Sequence, residues 1–171
     1  MRRAAIPVVA MAAAALVACG GEERDTPDAG SGPAATFEPA DCGAVTDADV
    51  AAAVGSTLFT RVVVSEAGCF WQENTAIGTF GIGMGISTWW YRGSDLDTER
   101  ALELKVGREL VELTVNGNKG FKAFDENACS VYVAKGDDVI TWSIQTVNPA
   151  MLPDLCSVAE TLAQLSQDRL N

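Results

Sequence analysis

Residues 109–147 read ELVELTVNGNKGFKAFDENACSVYVAKGDDVITWSIQTV, and this stretch decides the fold. Four runs rich in β-branched and aromatic residues, Glu109–Val115, Lys119–Phe124, Cys129–Lys135 and Val139–Val147, are divided by short polar breaks. Asn116-Gly117 is the strongest short-range hairpin signal, because a type I′ turn needs φ > 0 at both central residues. Gly136-Asp137-Asp138 reads as a second turn. Connections this short join antiparallel neighbours, since parallel strands need a crossover of a dozen residues or more. The stretch therefore predicts a four-stranded antiparallel meander.

Working outward, Ser94-Asp95-Leu96-Asp97 opens a helix running to about Val106. Before it lie strand-like runs at Leu58–Val64, Cys69–Gln72 and Ile77–Trp90. Thr46-Asp47-Ala48-Asp49 reads as a helix start, with Thr46 as N-cap and acids in the first turn. Val50 and Val54 lie one turn apart, and Gly55 is placed to end that helix. At the other end, Pro153 suits a first helical turn, Asp154 adds negative charge there, and Leu155, Val158, Leu162 and Leu165 form one apolar stripe. The order α-β-β-β-α-β-β-β-β-α predicts an α+β fold: a twisted antiparallel sheet with helices packed mainly on one face. The only internal repetition is a weak echo of strands followed by a helix.

The 171 residues carry 12 Lys+Arg against 23 Asp+Glu, a formal charge of −11, and no histidine. Ser-His-Asp and Cys-His catalysis, His-ligated zinc and imidazole proton shuttling are thereby excluded. The acidic balance disfavours nucleic acid, whose phosphates need clustered Lys and Arg. With 48% hydrophobic and 20% charged residues, the composition is that of a folded chain.

The amino terminus reads as a leader. Met1-Arg2-Arg3 is a positive start, and residues 4–17 are an uncharged apolar run. At 14 residues this run is shorter than the roughly 20 that span a bilayer, and it fits a secretory h-region. Leu16-Val17-Ala18-Cys19 resembles the bacterial lipobox. The resemblance implies a signal peptide over 1–18, cleavage after Ala18, a diacylglyceryl group on the Cys19 sulfur and acylation of the new amino terminus, palmitate being the expected chain. Two acyl chains anchor stably where one is marginal, so the expected location is the extracytoplasmic face of the cell membrane. General secretion fits better than twin-arginine export, because only Ala4 and Ala5 follow the arginine pair. Cleavage would leave 10 basic against 23 acidic residues, a charge of −13, so the acyl chains rather than charge would hold the protein to an anionic surface. Residues 20–41, with Phe37 their only large apolar side chain, read as a flexible acidic tether spanning roughly 25 Å. This gives three parts: the leader at 1–18, Cys19 with its tether to residue 41, and one domain over 42–171.

Four cysteines remain in that domain, Cys42, Cys69, Cys129 and Cys156. An even number in an exported domain predicts two disulfides, and the spacings match neither a redox motif nor a zinc knuckle. Three pairings are open. Cys42–Cys69 with Cys129–Cys156 is favoured, because each closes a loop of about 28 residues and ties the leading edge of a helix to a strand.

Taken as a set, the lipobox, the acidic tether, a cysteine before a short helix, Gly68-Cys69-Phe70-Trp71, Cys129-Ser130-Val131-Tyr132-Val133 and Cys156 at the final helix resemble a family of small actinobacterial lipoproteins of uncharacterised function. The resemblance implies a location and a fold type, and no reaction. A more distant likeness of architecture is to the extracytoplasmic sensor domains of actinobacterial receptor kinases.

For function, Gly81-Ile82-Gly83-Met84-Gly85 fails as a phosphate loop and reads as strand. Phe80, Ile82, Met84 and Ile86 would face a core, while Gly81, Gly83, Gly85 and Ser87 face the other way. Either a helix or a neighbouring aromatic lies over these glycines, or they floor a groove for a ligand or peptide. Trp89 falls on the glycine face and Trp90 on the core face, so Trp89 and Tyr91 are the candidate contacts for sugar, lipid or protein. Asp95, Asp97, Glu99 and Glu103 read as a solvated helix face. Glu73, Asp125 and Glu126 sit in loops, where a pair could in principle serve a glycosidase. No calcium loop, metal-ligand spacing or Ser-x-x-Lys pattern is present. The expectation is a non-enzymatic lipoprotein without cofactor or metal, binding a protein partner. A carrier or sensor of a small or lipidic ligand is the alternative, and a carboxylate-based hydrolase the third reading.

Overall fold

The computed structural model describes residues 39–55, 59–73, 83–148 and 154–170. The expected leader, Cys19, the tether as far as residue 38, Gly81 and Pro153 lie outside them. The described residues all belong to one unit, Pro33–Asn171.

After a 3-10 segment, Pro39–Ala44, come helix α1 (Asp47–Val54), strands β1 (Phe59–Ser65), β2 (Gly68–Glu73) and β3 (Gly85–Tyr91), and helix α2 (Leu96–Lys105). Strands β4 (Glu109–Val115), β5 (Asn118–Phe124), β6 (Ala128–Lys135) and β7 (Asp138–Gln145) follow, then helix α3 (Leu155–Arg169). The predicted order of elements is the observed one. The strands form one antiparallel seven-stranded sheet in the order β1-β2-β3-β7-β6-β5-β4. Two meanders, β1–β3 and β4–β7, thus meet where their last strands pair, with Ser87 opposite Ser143 and Trp89 opposite Thr141.

Local signals explain most element ends. Thr46 caps α1 reciprocally with Asp49: its hydroxyl accepts from the Asp49 amide, and the Asp49 carboxylate accepts from the Thr46 amide. Gly55 ends the helix at φ 78°. Asn116 and Gly117 turn β4 into β5 at φ 47° and 81°. Helix α3 starts at Leu155, two residues later than the Pro153 reading places it, and Asp154 is its N-cap, accepting from the Cys156 amide.

Alternation gives the sheet two faces. On one, Trp71, Ile86, Val131, Val133, Trp142 and Ile144 pack against Val50 and Val54 of α1 and Val158, Ala159, Leu162 and Ala163 of α3. The rings of Trp71 and Trp142 stack there at 5.8 Å. The opposite face carries a smaller cluster, Phe121, Ala123, Tyr132 and Val139, covered by α2. Two of the three helices therefore share one face. The disulfides are Cys42–Cys69 and Cys129–Cys156, the favoured pairing.

Helix α2 departs from expectation. Glu99 and Glu103, read as solvated, are each only 8% exposed and face the sheet, while Leu102, Leu104 and Val106 are exposed. The cause is what lies beneath the helix. The Tyr132 hydroxyl and the Arg108 guanidinium both donate to the Glu103 carboxylate, and the Ser94 hydroxyl donates to Glu99 at 2.5 Å. A buried carboxylate so supplied is tolerated, whereas one without donors is not.

Two outcomes follow from this packing. Cys129→Ala together with Cys156→Ala should cost about 3 kcal/mol in urea denaturation, the value expected for a loop of this length; an unchanged midpoint would contradict a stabilising bond. Arg169 of α3 pairs with Asp49 of α1 at 2.6 Å, and the Arg169 hydrogen bond, with Thr46, holds the Asp49 carboxyl well below the ordinary carboxylate range. A depressed pKa contributes stability above the unfolded value and loses it as pH falls below about 4. Asp49→Asn should therefore remove a few tenths to about 1 kcal/mol at neutral pH and flatten the loss of stability below pH 4, checked by thermal melts across that range.

Candidate functional site

Helix α2 covers the sheet face only in part. Beyond its C-terminal end the same face carries no helix, with Phe70 of β2, Ser87 of β3 and Ser143 of β7 half-buried, Gln145 of β7 exposed, and Gly85 of β3 buried beneath the Phe70 ring. Small side chains dominate this floor, and two connected recesses lie at its edge. One, of about 620 Å³, is lined by Arg108, Asp125, Glu126, Asn127, Gln145 and Gly83 among others. The second, of about 260 Å³, is lined by Phe70, Gln72, Glu73 and Gly85, and shares Gly83, Gln145 and Val147 with the first.

The wall of the larger recess is built rigidly. The Asp125 carboxylate accepts from the Asn127 amide at 2.7 Å, closing an Asx turn between β5 and β6. The Thr146 amide donates to the Asn127 carbonyl, tying that turn to the end of β7. Arg108 is held between two carboxylates, Glu103 beneath α2 and Asp125 at the rim, with salt bridges of 3.2 Å to each. It also donates to the Ser130 hydroxyl, which is 2.7 Å from Ser143. Burial works against ionisation of Asp125, yet the Asn127 amide and Arg108 hold its carboxyl below the usual range. Burial, followed by the Glu103 hydrogen bond, pushes the Tyr132 phenol far above its usual range, so Tyr132 remains a donor to Glu103.

Glu126, Asn127 and Gln145 are exposed at the rim, and among the described residues their side chains make no hydrogen bond within the protein. They offer two carboxylate oxygens, two amide carbonyls and two amide NH₂ groups at one rim. No group of three or more metal-ligating side chains occurs among the described residues.

The candidates named from sequence are divided by the structure. Gly83 and Gly85 lie at the open recesses. Trp89 and Tyr91 share their face but stand toward the other end of β3, and Tyr91 packs beside Tyr132 in the cluster under α2, ring centroids 6.5 Å apart. Glu73, Asp125 and Glu126 come to the same pair of recesses, but Glu73 is engaged with the Met84 amide and Asp125 with Arg108. Arg108, Asn127, Gln145 and Phe70 were not singled out as site residues, because their roles arise from strands brought together over long sequence separations.

The glycine run also needs correcting. Strand β3 begins at Gly85, and Gly83 before it is exposed with φ 58°, so strict alternation does not extend through it. No packed core covers Gly83; its constraint is conformational. The Phe70 ring does lie over Gly85, whose added Cβ would meet it at 2.9 Å.

No solved structure matches the chain. The profile of a family described as "Protein of unknown function (DUF3558)" matches residues 14–169. The protein of Mycobacterium leprae named "Putative lipoprotein LprB" is 28% identical over 131 residues, covering 73% of this chain and 67% of the relative. Its namesake in Mycobacterium tuberculosis strain CDC 1551 / Oshkosh is 29% identical over 132 residues, covering 73% and 68%.

Gly83→Val should lose about 1–3 kcal/mol of stability, because a β-branched residue is strained at positive φ and its Cβ would stand 2.5 Å from the Val147 side chain. Adding Val147→Ala should restore only the steric part. Thermal melts of the single and double variants check this, and an unchanged single-variant melting temperature would remove the conformational argument.

Proposed function

The chain belongs to the DUF3558 family, and on that premise we propose that it is a lipid-anchored extracytoplasmic binding protein whose binding site is the pair of recesses at the open end of the sheet. The anchor rests on the lipobox-like Leu16-Val17-Ala18-Cys19 at the end of an apolar leader, and on relatives that carry lipoprotein names. Among the described residues no helix is long and apolar enough to cross a membrane.

The observation that carries the binding reading is the convergence of the exposed Glu126, Asn127 and Gln145 on a hydrogen-bonded wall, beside about 620 Å³ of open space. That volume lies within the roughly 300–1,000 Å³ of small-ligand sites. Binding is favoured over catalysis because the best-placed carboxylates, Glu73 and Asp125, are already tied to the Met84 amide and to Arg108. Ser130, for its part, is hydrogen-bonded to Ser143 and Arg108, neither of which is a general base.

Cys19→Ala should move the protein from the membrane fraction to the soluble one and abolish palmitate labelling. Retention of both would overturn the anchor. For the binding site, a fragment screen followed by backbone amide shifts should place hits around Asn127 and Gln145. Hits that fall elsewhere, or none, would overturn the site.

A further inference from the structure

We propose that the recesses take a neutral, polyhydroxylated ligand, a saccharide of two or more units; this rests on the binding reading above and names its ligand class. Three features of the site carry it.

The first is charge. Among the described residues Arg108 is the one cation lining the larger recess, and it is neutralised on both sides by Glu103 and Asp125. Glu126 and Glu73 add further negative charge around the two recesses. A phosphate or carboxylate ligand would meet net repulsion.

The second is the kind of group left unpaired. Asn127 and Gln145 each present a carbonyl acceptor and an NH₂ donor, and Glu126 presents acceptors. A hydroxyl both donates and accepts, so adjacent hydroxyls on a ring satisfy such planar groups in pairs. A purely cationic ligand would use the acceptors and leave the amide donors of Asn127 and Gln145 without partners. An apolar ligand would leave all of them unsatisfied, at a cost.

The third is the aromatic wall. Phe70 lies half-buried over Gly85 in the smaller recess, and an aromatic ring offers an apolar surface to the C–H face of a sugar ring. The two recesses share Gly83, Gln145 and Val147, so polar and aromatic parts lie along one continuous path. That arrangement suits a short chain of sugars better than a single one.

The test is a titration of the isotope-labelled protein with cellotetraose, chitotetraose and tetralysine at millimolar concentration, read by amide NMR shifts. A saccharide should shift, saturably, the backbone amides of Gly83, Gly85 and Gln145 and the side-chain amides of Asn127 and Gln145. The signals of the stacked pair Trp71 and Trp142 should stay fixed. Asn127→Ala and Phe70→Leu should each weaken the response at least fivefold while leaving those tryptophan signals in place. Response to tetralysine alone overturns the saccharide class and leaves the binding site standing. No response to any probe overturns the saccharide class, while the fragment screen judges the site independently. Saccharide shifts confined to Trp89 and Tyr91 overturn the placement. Release of new reducing ends during the titration overturns the non-enzymatic reading and supports the ligand class.

Discussion

The pairing of β3 with β7 is the constraint on which the rest of the structure depends. It runs from Gly85 opposite Gln145 to Tyr91 opposite Val139 and joins two halves of the chain that are otherwise local meanders. Much of the packing on the larger-core face crosses this seam. Trp71 stacks on Trp142 beneath it. The Asp138 carboxylate of β7 accepts from the Trp90 indole at 2.9 Å and from the Gly93 amide at 2.7 Å. On the same face as the Trp71–Trp142 stack, the Arg169–Asp49 pair ties α3 to α1. Without the seam neither half closes a core: α3 lies over β6 and β7, yet its neighbour α1 comes from the other half.

The recess is a by-product of how α2 sits. That helix crosses from the end of β3, in the middle of the sheet, to β4 at its edge, and it packs over β4, β5 and β6. Polar groups fix its position: Glu103 takes hydrogen bonds from Tyr132 and Arg108, and Arg100 lies 4.9 Å over the Phe121 ring while pairing with Glu112. Held there, it leaves the Phe70, Gly85 and Gln145 end of the face bare. Arg108, just past its C-terminal end, is both the last tie to the sheet and the first wall of the open space.

Much of this was legible in the sequence, for reasons that are local. Asn116-Gly117 names its own turn, because the two positive φ values it needs are rare elsewhere. Thr46 and Asp49 cap each other within one turn. Two equal cysteine spacings in a four-cysteine domain favour one pairing. What failed to show were features set by distant partners. Nothing around Glu99 and Glu103 reveals that Tyr132, 29 residues beyond Glu103, supplies a buried donor, so the pattern of that acidic helix face is the same as that of a wet one. Gly83 was carried along by an alternating pattern, although a glycine in such a run is itself a mark of broken backbone geometry. The recess rim, assembled from Arg108, Asn127 and Gln145, has no linear signature at all.

Both disulfides stay within a half. Each joins residues 27 apart, one before the seam and one after it. Each bond thus closes a loop inside one half of the chain, and neither spans the junction between them. In the finished fold each bond therefore braces its own meander to the helix or 3-10 segment beside it, and the β3–β7 seam is held without a covalent link across it.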